Sequence, residues 1–404
     1  MTEGFQKINH ANSDFEFSSV ACECEVDVTH PLKGVTKYTF RLYPTENILN
    51  YSYVAGQGVI SKKKDGAVDG RSVLPDLLAI KDGDAKAVKV FIEQHGFFFP
   101  LDPNEDNSID ADSLFNLIDR LKATVSLMSA LGEPKADYKR ILALTLFLLL
   151  SPTVAIQLPT FESPFLTCDH EVGDIWNGVY PINENILRSE NIGYNLDVGY
   201  KISYSVRPPE TWLTTNEYSD AVGCEHLNLA SVKANATYLF RNAVTASPQC
   251  RLVIDFLYHF CKDVGDIKIW NHKGDLMFVD TPPTQGQFRD AFDKPLQSAL
   301  LKIAKNTFKH EIEYNLTGIV PSYNIETMTP SWHIEYLLTG LYFSVFYMRP
   351  KIELYRTCAN PNCCLPFLVK TTSSKRKYCK PACANAMAQR NHRWKMKAKQ
   401  VDNE

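Results

Sequence analysis

The chain has 404 residues, which excludes a single ordinary hydrophobic core and predicts two or three domains. A hydrophobic content of 45% and a charged content of 22% are those of a soluble globular protein. The formal net charge is only -3, but residues 354–401 contain eleven Lys or Arg and no Asp or Glu. A basic tail on an acidic body favours contact with a polyanion such as nucleic acid or, alternatively, with the body itself.

The N-terminal sequence and the most apolar run predict a cytoplasmic protein that does not enter a membrane. The first residues lack the basic and then apolar segments of a signal peptide. The most apolar run, residues 141–150, has about half of the ~20 residues that span a bilayer, so we interpret it as a buried helix. Thiols stay reduced in the cytoplasm, and clustered cysteines there indicate a metal site before disulfides.

Alternation of apolar and polar residues predicts strands in the body. In residues 20–28, "VACECEVDV", the valines and cysteines face one side and the acidic residues face the other. We therefore interpret Cys22 and Cys24 as small core residues rather than metal ligands. A second alternating run, residues 192–206, ends before a Pro-Pro pair, which cannot continue the interior of a sheet. Half-buried strands of this kind favour antiparallel sheets.

Helical spacing of apolar residues, with capping residues at the ends, predicts helices between and after these strands. An aromatic helix is predicted to begin at Thr329-Pro330 and to end near Arg349. Residues 102–113 imitate a calcium-binding loop but lack its glycine at position six and its glutamate at position twelve, so we interpret this acidic loop as the cap of the next helix. The other predicted helices are residues 84–95, 114–132, 248–262 and a segment that starts at Pro295.

Five of the eleven cysteines lie in one short stretch near the C-terminus. Cys358 and Cys363 are separated by four residues and Cys379 and Cys383 by three, with fifteen residues between the pairs. Structural zinc sites take four ligands in two such close pairs from separate elements. The turn "CANPNC" can aim two sulfurs at one ion, and the proline of "YCKPAC" predicts a helix start between the other two. We predict a treble-clef-like finger with one zinc ion per chain; the spacing leaves Cys364 as an alternative to Cys363.

This segment has few apolar side chains, so it cannot bury enough surface to fold without help. A structural zinc ion contributes on the order of 10 kcal/mol of folding free energy. The metal is therefore predicted to hold the finger together.

The same segment resembles the bacterial CGNR zinc fingers. The resemblance rests on the two cysteine pairs, a phenylalanine after the second cysteine, the basic "SKRKYC" and a "CAN" that leads into a basic helix. It implies that Cys358, Cys363, Cys379 and Cys383 bind zinc and that Asn385 corresponds to the asparagine of the family signature. It also implies the C-terminal domain of a stress-induced transcription regulator, attached to a larger N-terminal domain. Alanines stand where the signature has Gly and Arg on either side of the asparagine.

The basic residues of this tail are predicted to bind nucleic acid, with double-stranded DNA as the expected partner. Lys and Arg neutralise phosphates, while Arg, Asn and Gln can also read base edges in a major groove. Alternatively, the basic charge compensates the formal −2 charge of zinc with four thiolates, or the helix end is a solvated tail. The predicted contacts are Lys375, Arg376, Lys377, Asn385, Gln389, Arg390, Arg393, Lys395, Lys397 and Lys399.

The predicted fold is therefore an α+β body of mixed antiparallel strands and helices, followed by the zinc finger with its basic helix. We place one α+β subdomain at residues 1–155, a second that ends in the aromatic helix at residues 156–350, and the finger at residues 351–404. The predicted function is a DNA-binding transcription regulator whose body senses a small-molecule ligand or mediates assembly, for example as a homodimer.

Two alternatives stay open: a protein-interaction module with a structural finger, and an enzyme in the body that uses the finger as a nucleic-acid anchor. The sequence has no glycine-rich phosphate loop, G-x-S-x-G elbow or H-E-x-x-H helix, so we predict no catalytic site. The pairs Cys168–His170 and Cys224–His226 lack the usual ligand spacing, and we interpret them as buried structural side chains.

Overall fold

The structure is a computed structural model, and it describes residues 15–30, 36–54, 58–62, 68–177, 232–242, 246–279, 282–325, 328–348, 353–363, 365–370 and 376–401. Several features singled out in the sequence lie outside these described residues: the alternating run at 192–206, the pair Cys224–His226, Cys364 and Lys375.

The chain divides into two compact units. It combines helices with antiparallel strand pairs, which confirms the predicted α+β class. The three-part division predicted from the sequence stays a prediction. Unit 1 consists of Met1–Leu121, Ala155–Phe165 and Ile312–Glu404, and unit 2 consists of Lys122–Val154 and Leu166–Glu311.

Unit 1 contains an antiparallel sheet in the order β1-β2-β3-β4, with β5 also paired to β2. Cys22 and Cys24 are buried in this sheet, which confirms them as core residues. A bulge between Val20 and Cys22 interrupts the predicted alternation, and Val20 is 41% exposed. The strands are β1 (Glu16–Thr29), β2 (Lys37–Val54), β3 (Gly58–Lys62), β4 (Val68–Ser72) and β5 (Asn107–Asp110).

Three helices accompany these strands, and local capping explains the bounds of the second. Asp84 accepts a hydrogen bond from the Ala87 N–H at the start of α2, and Gly96, with φ 74°, follows its last residue. This confirms the predicted helix at 84–95, and α3 confirms the helix predicted at 114–132. The bounds are α1 (Val73–Leu78), α2 (Ala85–His95) and α3 (Ala111–Gly132), which continues from unit 1 into unit 2.

The acidic loop before α3 is closed by its own side chains. Asn107 accepts from the Asp102 N–H at 3.1 Å and donates to the Asp102 carbonyl at 2.6 Å. Asp110 accepts from the Ser113 N–H at 2.8 Å in the first turn of α3. The loop therefore caps the helix as predicted.

The described residues between 138 and 315 are mainly helical. Ser247 accepts from the Cys250 N–H at the start of α7, as its predicted N-cap role requires. The helices predicted at 141–150, 248–262 and from Pro295 are all confirmed. The helices are α4 (Tyr138–Leu150), α5 (171–177), α6 (Val232–Asn242), α7 (Pro248–Asp263), α8 (Gln285–Ala291) and α9 (Lys294–Asn315). The strands are β6 (Ala155–Ile156), β7 (Phe165–Leu166), β8 (Ile267–Trp270) and β9 (Leu276–Phe278).

The core of unit 2 joins α4, α7 and α9 through side chains such as Leu144, Phe260 and Leu300, each less than 1% exposed. In the part of the chain that the structure describes, no helix combines the length and apolarity needed to cross a membrane.

Gly173 in α5 is required by a close backbone contact. A Cβ at this position would lie 2.6 Å from the Leu149 carbonyl oxygen. We expect Gly173→Ala to destabilise the protein by about 1–3 kcal/mol, because backbone would have to move to relieve the overlap. The measurement is the urea midpoint of unfolding. Gly286→Ala in α8 is the matched control, since no atom lies within 4 Å of its Cβ position; equal midpoints for the two variants would contradict the prediction.

The aromatic helix predicted from Thr329-Pro330 is wrong in its first part. Thr329–His333 is a strand, β11, and it pairs antiparallel with β10 (Val320–Asn324). The helix, α10, spans Leu337–Tyr347. The aromatic residues that suggested one helix belong to two elements, and Trp332 of β11 packs edge-on against Phe343 of α10 with ring centroids 5.5 Å apart. Proline is tolerated in β11 because a two-stranded hairpin consists of edge strands.

The N-terminal strand of unit 1 packs against this helix. Phe15 lies with its ring centroid 4.8 Å from that of Phe343, and it is 1% exposed. Phe17 approaches so closely that a Cβ on Gly340 would lie 2.5 Å from its ring. The core of unit 1 therefore joins residues from distant parts of the sequence.

The last elements form a small hairpin followed by a helix. Strands β12 (Glu353–Thr357) and β13 (Pro366–Lys370) are antiparallel, and α11 spans Pro381–Val401. Leu354, Phe367 and Val369 form a buried apolar cluster in this region together with Cys358 and Cys383.

Candidate metal centre and nucleic-acid interface

The first cysteine pair lies on the turn that connects β12 to β13. The Cys358 N–H donates to the Leu365 carbonyl at 2.9 Å, which extends the hairpin by one bond. The Cys363 N–H donates to the Asn360 carbonyl at 2.8 Å, and the Asn360 side chain accepts from the Asn362 N–H at 3.1 Å. This Asx turn brings the two cysteines to the same side of the hairpin end.

The second pair lies at the start of α11. Cys379 precedes the helix and Cys383 lies in its first turn, as the sequence predicted. The Cys383 N–H donates to the Lys380 carbonyl at 3.1 Å. A hydrogen bond of 2.9 Å from the Ala359 N–H to the Lys377 carbonyl joins the turn of the first pair to the segment before the helix.

The four sulfurs converge on one point. All lie within 4.8 Å of one another, with Cys379 Sγ 3.5 Å from Cys363 Sγ and 3.7 Å from Cys383 Sγ. Tetrahedral zinc with Zn–S bonds of about 2.3 Å requires sulfurs about 3.8 Å apart. Cys358 and Cys383 are buried, and the other two are half-buried. The cluster is therefore at metal-binding distance and shielded from solvent.

The surroundings of Cys358 favour a thiolate. Burial raises the pKa of this thiol, but the facing backbone N–H groups of Cys379 and Asn360 and the neighbouring thiols outweigh burial and bring its pKa to about 7. By contrast, burial raises the pKa of the Cys250 thiol in unit 2 to about 12. A thiolate is the form that binds metal, so the pKa of Cys358 suits it as a ligand, whereas burial and the neighbouring thiols raise the pKa of Cys379 to about 12.

The basic and amide residues predicted to bind nucleic acid lie along α11 and just before it. Arg376 donates to the Tyr378 and Cys379 carbonyls at 3.3 and 2.8 Å and lies over the Phe367 ring, so its guanidinium also braces the finger. Lys395, Lys397 and Lys399 belong to α11. The predicted contacts whose side chains are exposed are Arg376, Lys377, Asn385, Gln389, Arg390 and Arg393.

A groove of ≈ 610 Å³ lies between α11 and the turn of the first cysteine pair. It combines guanidinium, amide and apolar groups, and it contains three of the predicted contacts, Gln389, Arg390 and Arg393. Asn362 was missed by sequence reasoning; the turn motif "CANPNC" predicted the bend but not that this amide would face the helix. The lining residues are Asn360, Asn362, Ala386, Met387, Gln389, Arg390 and Arg393.

The structure also brings together Cys168 and His170, which the sequence analysis interpreted as buried structural side chains, with a third residue. Cys168 and His170 lie together in unit 2 and are joined by His310, which is 140 residues away from His170. No spacing signal could connect His310 to the other two.

Comparison with curated proteins and with solved structures found no match. The family model of the CGNR zinc finger matches residues 355–395, a segment that includes the four clustered cysteines and the first part of α11. The resemblance predicted from the sequence is thus confirmed for this C-terminal region, because residues 355–395 match the CGNR zinc finger model.

Proposed function

We propose that the finger binds one zinc ion in a treble-clef-like arrangement and uses α11 to bind double-stranded DNA. The observation that carries the proposal is the groove beside the cysteine cluster, where Arg390 and Arg393 lie with Gln389 and Asn362. A role in transcription regulation rests on the resemblance to CGNR regulators. In such a protein the body, predicted to be cytoplasmic, senses a small molecule or holds subunits together.

The donor set supports zinc as the metal. Four thiolates suit zinc, and their separations fit a tetrahedron. The hairpin turn followed by a helix start supplies the two ligand pairs from separate elements, which supports the treble-clef-like arrangement.

Charge compensation alone does not explain the basic residues of α11. Lys377 and Lys380 flank Cys379 and can offset the negative thiolates. Arg390 lies seven residues beyond Cys383 and Arg393 ten, or about 10 and 15 Å along the helix axis. Charges separated by more than about 8–10 Å at an exposed surface are largely screened at physiological salt. Compensation of the thiolate charge therefore does not account for these two arginines.

The groove offers the chemistry that recognises DNA. Guanidinium groups bind phosphate or the guanine edge in a bidentate manner. Amides such as Gln389 and Asn362 can pair with adenine or donate to phosphate. The sugar-phosphate backbone of one DNA strand could therefore lie in the groove, against the exposed arginines of α11.

The experiment that tests the proposal measures the affinity of the full-length, zinc-loaded protein for mixed-sequence duplex DNA as salt is varied. With about five phosphate contacts, a plot of log K against log salt should have a slope of about −4 to −5. A slope near zero, or no binding at low salt, would contradict DNA binding and leave a structural finger that docks protein.

A further inference from the structure

Unit 2 contains a cluster of metal-ligating side chains that is separate from the finger cysteines. We propose that Cys168, His170 and His310 form a second metal site, which binds a divalent cation of the zinc class. The proposal does not depend on DNA binding by the finger.

A connecting segment and a helix of unit 2 bring these residues together. Cys168 and His170 lie between β7 and α5, and the Gly173 N–H donates to the His170 carbonyl at 2.7 Å at the entry to α5. His310 and Glu311 are consecutive residues of the long helix α9. The cluster therefore joins a short connecting segment to the face of a helix.

The distances from His310 Nδ1 to the other two residues fit one tetrahedral ion. His310 Nδ1 lies 3.2 Å from His170 Nδ1 and 3.8 Å from Cys168 Sγ, and Cys168 Sγ also lies 3.8 Å from His170 Nε2. Bonds of about 2.0–2.1 Å to nitrogen and 2.3 Å to sulfur would place two nitrogens about 3.3 Å apart and a nitrogen and a sulfur about 3.6 Å apart. One ligand atom from each of the three residues lies within 4.8 Å of the others.

Glu311 supplies the outer partner that a metal-binding histidine usually has. His170 Nε2 lies 3.0 Å from Glu311 Oε1, and the Glu311 side chain is fully buried. If Nε2–H donates to this carboxylate, the Nδ1 of His170 carries a lone pair directed toward His310. A carboxylate–histidine pair of this kind fixes the tautomer and increases the basicity of the ligand nitrogen.

The burial of the cluster also suits a metal site. Cys168 is 2% and His170 8% exposed, while His310 is exposed at the surface. Solvent is thus excluded around the Cys168 thiol, and a metal ion can enter the site from the surface beside His310. Thiolate and imidazole together select zinc-like cations over magnesium or calcium. Three protein ligands leave the fourth position of a tetrahedral ion to water.

The competing explanation is a hydrogen-bonded cluster without metal. In that case one of the two facing nitrogens of His170 and His310 donates to the other, and Cys168 only fills space. The two explanations differ in what happens when His310 is removed. A metal site loses its ion, whereas a hydrogen-bonded cluster loses one exposed bond.

The test compares the metal content of full-length variants purified without chelator and dialysed in zinc. We expect His310→Ala to lower bound zinc by about one equivalent per chain, and the doubly substituted Cys379→Ser/His310→Ala variant to lose a further equivalent. Lys305→Ala, at an exposed position of the same helix, is the matched control and should retain the wild-type content.

Cobalt reconstitution gives a second measurement that does not depend on the number of zinc equivalents per chain. Cobalt in a site with one sulfur and two nitrogens absorbs differently from cobalt in a four-sulfur site, and only the former spectrum should disappear in His310→Ala. Equal zinc content and equal cobalt spectra in wild type and His310→Ala would overturn the second site. If the wild-type protein shows both cobalt spectra but does not bind DNA, that result would instead count against the function proposed for the finger.

Discussion

Replacing Cys379 with serine is expected to release the zinc of the finger and to unfold the β12–β13 hairpin and the start of α11. Cys379 Sγ lies within 3.7 Å of two other sulfurs, so its loss breaks the centre of the cluster. The buried apolar cluster of this described region has only three residues besides the cysteines, Leu354, Phe367 and Val369, while zinc contributes on the order of 10 kcal/mol. A stability of that size exceeds what so small a core can replace.

The measurement combines zinc content with limited trypsin digestion of the full-length protein. The tail contains many Lys and Arg, so an unfolded finger should be cleaved rapidly, while fragments from unit 2 persist. Cys250→Ser is the matched control, because Cys250 is a buried cysteine of unit 2 that belongs to none of the groups of metal-ligating side chains found in the described residues. Unchanged zinc content and unchanged digestion in Cys379→Ser would show that the four sulfurs hold no structural ion.

Reversing the charge of Arg390 and Arg393 together is expected to weaken DNA binding by about 100-fold at moderate salt. Each side chain is exposed in the groove, and each charge-assisted bond to phosphate contributes about 1.5–3 kcal/mol. The slope of log K against log salt should also become shallower by about two, since roughly one counterion is released per phosphate contact.

The control is a double variant with the same change in net charge at a distance from the finger in sequence. Lys268→Glu/Lys305→Glu substitutes two exposed lysines of unit 2 and should leave the salt slope near the wild-type value. A similar loss of affinity in both double variants would show that net charge alone controls binding. Zinc content should stay constant in both, which separates lost contacts from a lost fold.

The finger could be predicted because its signals are local. Cys358 and Cys363 are joined by one turn, and Cys379 and Cys383 by one helix start, so spacing alone indicates their convergence. The groove could not be predicted, because it depends on how the turn of Asn362 faces α11.

Long-range pairing explains the errors in the body. The strand β11 was predicted as helix because Thr329-Pro330 is also a good helix start, and only its pairing with β10 decides between the two. Cys168 and His170 gave no metal signal for a related reason, since their third partner, His310, is brought in by the fold. By contrast, Ser247 marks a helix start through its bond to the Cys250 N–H, and Gly96 marks a helix end through its positive φ; both signals are local, and these ends were predicted well.

The packing of Phe15 and Phe17 against α10 constrains the order of events during protein synthesis. The ribosome delivers β1 more than three hundred residues before Phe343 and Gly340 emerge. Until then the side chains of Phe15, just before β1, and Phe17, within it, lack their native cover, and a sheet with an uncovered apolar face is prone to self-association. Unit 1 therefore completes its core late in translation. A chain that stalls before α10 is synthesised exposes apolar side chains of the kind that holding chaperones bind.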